Sequence, residues 1–348
     1  MALRYAIGDY TFHPEEFFPR ELFDRITDTR VTRPEVVAEE AQARRRRPRL
    51  TRDGRLTILA ADHPARMVTA VGDDPLAMGN RWTLLARILR VITAEEFDGV
   101  MTTPDIMEDL FIVHRLDKEL GGPGFLDQKV LLGCMNRGGL SGAAFELDDR
   151  MTAFTPEMIA ARRLDGAKVM FRLEPREPAS LDTMMYCVEA INACQARGIP
   201  VFLEALMVEH VDGKYKTLKN AEALIKVVSV ASGLGSASAL TWLKIPYCEG
   251  FERVAEATTC PILMLGGESR GDPTGILLEF AAGMRAGGTV RGALVGRNVT
   301  FPGRDDPLAV ALAVDAIVHR GFSAEEAAAY LAEVRGRGMD RFTRWLSR

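Results

Sequence analysis

Eight short apolar runs, each followed by an amphipathic stretch, constrain the fold of this chain more than any other feature of its sequence. The runs fall at 55–61, 99–102, 129–135, 167–173, 200–206, 240–245, 261–265 and 292–295. The stretches that follow them have helical periodicity, at 105–120, 156–163, 181–197, 218–232, 250–257, 274–286 and 307–319, with 78–92 after the first run. Apolar strands alternating with helices imply parallel βαβ units. Eight such units predict a closed (β/α)8 barrel rather than a doubly wound sheet. Residues 1–50 read as a helical preamble, with prolines 14 and 34 opening its helices. Residues 51–320 are expected to form the barrel. Residues 321–348 are expected to form a C-terminal helix opened by a capping box, Ser323 with Glu326. No linker rich in glycine, proline or serine divides the chain, so one domain with helical extensions is expected.

The chain of 348 residues has a formal net charge of −4, which gives no general attraction to nucleic acid. The exception is Arg44-Arg45-Arg46-Arg47, which reads as a solvated helix end, or else as an anion or subunit contact. Five cysteines without metal-ligand spacing fit a reducing compartment. No apolar run approaches a membrane span and residues 1–12 carry no apolar leader, so a cytoplasmic protein without membrane contact is expected. The five histidines show no HxxH or HxH spacing, so neither a metal site nor a cofactor is expected.

Chemistry on such a barrel sits at the C-terminal ends of its strands. The first strand ends at Asp62-His63, the third runs into Asn136-Arg137-Gly138-Gly139, and the fourth carries Lys168 and Arg172. The fifth carries Glu204 and the sixth Lys244. Side chains alternate along a strand, so Leu240, Trp242 and Lys244 share one face. An edge lysine would reach water. Lys168, Glu204 and Lys244, however, fall on consecutive strands and would form an interior cluster beside Asp62. A second cation near Lys244 would favour its neutral, nucleophilic form, and Glu204 would relay protons. The last two strands run into Gly266-Gly267-Glu268-Ser269 and Gly296-Arg297-Asn298. Glycine backbone there would admit a phosphate, and Arg297 would supply a charge-assisted fork.

Ala167-Lys168-Val169-Met170, Phe202-Leu203-Glu204, Leu243-Lys244-Ile245-Pro246 and Gly296-Arg297-Asn298 resemble the class I aldolases of the DhnA/LacD type. The resemblance covers about 55–320 and is similar in order and setting to tagatose-bisphosphate aldolases. It implies Lys244 as the Schiff-base lysine, Glu204 as a proton shuttle, and Lys168 and Asp62 as further catalytic residues. Two departures bear on substrate. Phe171-Arg172-Leu173 occupies the region where archaeal-type fructose-bisphosphate aldolases carry a tyrosine, and His63-Pro64-Ala65-Arg66 follows the first-strand aspartate in place of Gln-Arg-Gly.

The chain also looks like an actinobacterial branch associated with inositol breakdown. That would imply cleavage of 5-dehydro-2-deoxy-6-phosphogluconate to dihydroxyacetone phosphate and malonate semialdehyde, with Arg172, Arg66 or Arg137 on the substrate carboxylate. The expected partner is therefore a phosphorylated small molecule, bound by Gly266, Gly267, Ser269, Gly296, Arg297, Arg172 and His63. Rival expectations are a fructose or tagatose bisphosphate aldolase, an acyl-transfer enzyme, a metal-dependent aldolase or isomerase, and a non-catalytic sugar-phosphate-binding barrel. His63 either bonds substrate or caps its loop; His114 and His319 are expected to be surface or core fillers. Phe17, Phe18 and Trp345 are expected to be exposed and to serve packing or subunit contacts in a homo-oligomer.

Overall fold

The computed structural model describes residue 3 and residues 5–346, the side chains of 345 and 346 excepted. Eight parallel strands close into a barrel: β1 (Leu56–Ala61), β2 (Gly99–Thr102), β3 (Val130–Cys134), β4 (Gly166–Leu173), β5 (Val201–Val211), β6 (Thr241–Pro246), β7 (Ile262–Leu265) and β8 (Val290–Val295). Each strand pairs in parallel with the next, and β8 returns to β1 with Ile58 opposite Leu294. The architecture is the (β/α)8 barrel that the apolar rhythm predicts. Among the described residues no helix is long and apolar enough to cross a membrane.

Strand alternation sorts the buried side chains into two layers. Leu56, Ile58, Met101, Leu132, Phe202 and Leu263 form an interior cluster, with Trp242 stacked on Phe202 at 5.6 Å between ring centroids. The opposite faces of the strands join the helices in a much larger outer core. The interior is therefore packed and apolar over its lower part, and its polar residues are confined to the strand ends.

Within the arginine run, Arg44 and Arg47 depart from the solvated reading, whereas Arg45 and Arg46 stay exposed. Arg44, with no exposed side-chain surface, pairs with Asp165 at 3.1 Å and donates to the Lys129 carbonyl. Arg45 pairs with Asp127 at 2.7 Å, Arg46 with Asp165 at 2.8 Å, and Arg47 with the buried Asp98 at 2.7 Å. Asp98, Lys129 and Asp165 immediately precede β2, β3 and β4. The run is thus a strap across the N-terminal end of the barrel, its charge answered within the chain. His319 completes this floor, with Nδ1 2.8 Å from Asp53 and Nε2 3.0 Å from Asp98. Asp98 also accepts from the Thr57 backbone N–H.

Phe17 and Phe18 are buried, not exposed. Both meet Phe342 edge-on, at 5.3 and 5.8 Å between ring centroids. These rings are spent on fastening the segments that flank the barrel to one another, so they are not free for a subunit contact. Trp345 lies outside the described side chains. The fifth strand runs five residues past its predicted end and pairs antiparallel with Lys214–Thr217, forming a hairpin that rises above the barrel.

Candidate active site

The cluster at the strand ends is built by register. Glu204 lies opposite Met170 on one side and opposite Lys244 on the other. Lys168, two residues before Met170, faces the same interior from one level lower. Glu204 Oε2 lies 3.0 Å from Lys168 Nζ and 2.9 Å from Lys244 Nζ. The second partner of Lys168 is Asp62, whose Oδ2 is 3.0 Å away. Four charges alternate in sign as Asp62, Lys168, Glu204, Lys244, so the two amines are separated by a carboxylate rather than set against one another.

These groups differ in access. Lys168 has no exposed side-chain surface, whereas Lys244 retains 7 %. Lys244, Glu204, Asp62 and His63 line a cavity of about 640 Å³ at the C-terminal mouth of the barrel, and Lys168 does not. Burial works to lower the Lys168 pKa, but the Asp62 and Glu204 carboxylates overcome it and hold the amine protonated well above the usual lysine range. Burial works to raise Glu204, and Lys168 with Lys244 overcomes it, bringing the carboxyl down to about 2. Asp62 is likewise depressed, against its burial, chiefly by Lys168. Burial brings His63 down to about 4, so its imidazole is neutral at pH 7.

The loops after β7 and β8 are neighbours. Asn298 Nδ2 donates to the Gly266 carbonyl at 2.5 Å, and the Ser269 hydroxyl donates to the Phe301 carbonyl at 2.5 Å. Ser269 is therefore occupied as a tie between the two loops. Gly267 has φ of 73°, in the region that favours glycine, and a Cβ there would stand 3.2 Å from Lys219 Nζ. At Gly296 a Cβ would lie 2.6 Å from His63 Cε1, so only glycine lets the imidazole sit where it does. Arg297 lines the same wall; burial lowers its pKa, and Glu268, 3.6 Å away, works against that.

Arg172 and Arg66 stand differently from the expectation that they hold substrate. Arg172 pairs with Glu146 at 2.5 Å, donates to the Gly139 carbonyl, and does not line the cavity. Arg66 borders the cavity, but its guanidinium pairs with Asp149 at 2.7 Å and donates to the Asn136 carbonyl. Both arginines hold the long loop after β3. Sequence reasoning missed Lys219, Lys216 and Tyr215, which the hairpin and the chain beyond it bring to the cavity. The one signal for them was the pattern Lys214-Tyr215-Lys216-Thr217-Leu218-Lys219, a polar stretch alternating with period two between β5 and its helix.

A family model described as Cgl0159-like matches residues 54–318. The crystal structure of Cgl0159 from Corynebacterium glutamicum is 38% identical over 88% of this chain and 99% of that one, with a TM-score of 0.81. Lower likenesses are to fructose-bisphosphate aldolases. The one from Slackia heliotrinireducens is 14% identical over 93% of this chain and 96% of that one, with a TM-score of 0.58. An archaeal one is 19% identical over 82% of this chain and 100% of that one, with a TM-score of 0.52. At these identities the two aldolases share the fold with this chain. No curated protein matches the chain.

Proposed function

This chain belongs to the Cgl0159-like family, and from that premise we propose that it is a class I aldolase acting on a phosphorylated ketose or keto acid through a Schiff base on Lys244. The observation that carries this reading is the difference between the two lysines on Glu204. Lys168 is locked between two carboxylates out of reach of a ligand, while Lys244 faces the cavity, paired among the described residues with Glu204 alone. A Schiff-base amine has to meet a carbonyl, and a proton acceptor has to stand beside it.

Lys244 passes a proton to Glu204 and its nitrogen adds to the substrate carbonyl carbon. The carbinolamine takes up a proton and loses water to give an iminium. That cation stands where the ammonium stood, so Glu204 keeps an opposite charge at the same distance and the step needs little electrostatic rearrangement. Asp62 or Glu204 accepts the proton of the hydroxyl next to the breaking bond. The bond's electron pair moves into the iminium, an aldehyde leaves, and the enamine takes a proton at carbon before water restores the amine. Arg297, Lys219 and the backbone at Gly266 and Gly267 suit a phosphate at the far end of the substrate, which fixes the carbonyl against Lys244. Neutral His63, wedged on Gly296, suits a hydrogen bond to a substrate hydroxyl. Lys244 and Glu204 are strand residues held by register, and Asp62 directly follows the last residue of β1.

The test is borohydride reduction in the presence of a panel of phosphorylated keto sugars and keto acids, followed by peptide mass analysis. A reduced adduct on Lys244, absent from Lys244→Met, is expected; an adduct elsewhere, or none with any member, refutes the reading. The aldehyde released separates the substrates within the class. Malonate semialdehyde identifies a phosphorylated deoxy-ketogluconate, and glyceraldehyde phosphate identifies a ketose bisphosphate.

A further inference from the structure

The N-terminal end of the barrel holds a second cavity, of about 760 Å³, on the side away from the mouth. Its wall is strongly cationic, formed by Arg45, Arg47, Arg49, Arg52, Lys129 and Arg341 against the carboxylates of Glu95 and Asp127. Some of this charge is answered: Arg45 pairs with Asp127, Arg47 with Asp98 and Arg341 with Asp117. Arg52 reaches Asp98 at 3.6 Å from a half-exposed position. Two cations are left over. Arg49 is exposed and makes no ion pair among the described residues. Lys129 is buried, and its Nζ donates to the backbone carbonyls of Ala94, Glu95 and Phe97, with no carboxylate of the described residues at ion-pairing distance. Burial foremost, helped by Arg47 and Arg52, brings the Lys129 pKa down to about 7. Burial thus leaves part of Lys129 neutral near pH 7, and an anion beside it lowers the energy of the protonated form, which otherwise has carbonyls around it. In a chain with net charge −4 this concentration of positive charge is local and directed at one concavity.

We propose that this cavity is a second ligand site, for a small phosphorylated metabolite whose charge is balanced by Arg49, Arg52 and Lys129 and whose carbon skeleton rests on Pro48 and Pro123. The walls come from the arginine strap, the loop before β2 and the loop before β3. Several cations on different elements converge on the one concavity, which suits a compact polyanion, with arginine forks matching phosphoryl oxygens. The site is separate from the mouth and shares no lining residue with it.

The test is calorimetric titration of the full chain with inorganic pyrophosphate at low salt. Arg297→Ala weakens the mouth and leaves this cavity intact, so that variant is expected to retain one binding site. Adding Arg49→Ala and Arg52→Ala is expected to weaken this remaining site at least tenfold. Arg49→Gln alone, which removes an arginine with no ion pair among the described residues, repeats the test should the multiple variant melt early, and is expected to weaken the site severalfold. The proposal is overturned if Arg297→Ala alone abolishes all binding, or if the variants at 49 and 52 bind pyrophosphate as tightly as their parent. Failure of the mouth to bind phosphate would appear separately, as wild type and Arg297→Ala giving the same isotherm.

Discussion

Lys168 and Lys244 approach the same atom, Oε2 of Glu204, at 3.0 and 2.9 Å, yet only Lys244 lines the cavity. Their removal should therefore differ in its cost to stability. Lys168→Met leaves Glu204 with Lys244 but takes from buried Asp62 the cation it pairs with, and breaking a buried pair from one side costs about 3–5 kcal/mol. Lys244→Met also breaks a buried pair, but it leaves Glu204 with Lys168 still beside it and no carboxylate stripped of its cation. Urea denaturation should give a large loss of stability for the first variant and a small one for the second, while both lose aldol cleavage.

Gly296→Ala should damage the site more than the fold. The new methyl would stand 2.6 Å from His63 Cε1, and the imidazole must turn out of its place. Misplacing a substrate-contacting group by about 1 Å costs up to about a hundredfold in rate. Steady-state kinetics should register that loss, with a melting temperature close to wild type.

Arg172→Met should have the reverse profile. Its guanidinium serves Glu146 and the Gly139 carbonyl rather than the cavity. A loss of about 3 kcal/mol or more on chemical denaturation is expected, since Glu146 is left buried without its cation. The substrate KM of the protein that remains folded should be unchanged. A raised KM would return Arg172 to the substrate.

Stability on the alkaline side should depend on His319. Burial opposes its charge, but Asp98 and Asp53 outweigh it and raise the imidazole to about 9 from an ordinary 6.5. A raised histidine contributes stability that is complete below pH 6.5 and is lost as pH rises through 9. Discounted for its partial exposure, the loss is about 2 kcal/mol. Denaturation midpoints at pH 6.5 and 9.5 should diverge for wild type and converge for His319→Gln.

The barrel was legible because its signal is periodic and repeated eight times, and each strand lies within a few residues of its apolar run. The interior Lys–Glu–Lys set was legible for the same reason, since alternation within a strand and order around a closed sheet decide which side chains can meet. What the sequence could not convey was the partner of each charge. Arg44 and Arg47 look solvated like Arg45 and Arg46 beside them because their acceptors, Asp165 and Asp98, lie roughly 120 and 50 positions away. Arg172 looks like a substrate clamp because nothing local announces Glu146 in the preceding loop. Phe17 and Phe18 look exposed until Phe342, from the other flank, is folded onto them. Lys219 was missed because the hairpin that leads to it lies beyond the expected end of the fifth strand.

The contact of Phe17 and Phe18 with Phe342 gives the barrel a clasp outside its sheet. A ring of strands can open at any seam where two neighbours separate, and the seam between β8 and β1 joins the parts of the barrel most distant along the chain. With the leading and trailing segments gripped ring to ring, parting that seam also requires pulling three phenylalanines into water. The barrel should therefore unfold as one unit, with no separate early release of its first and last strands.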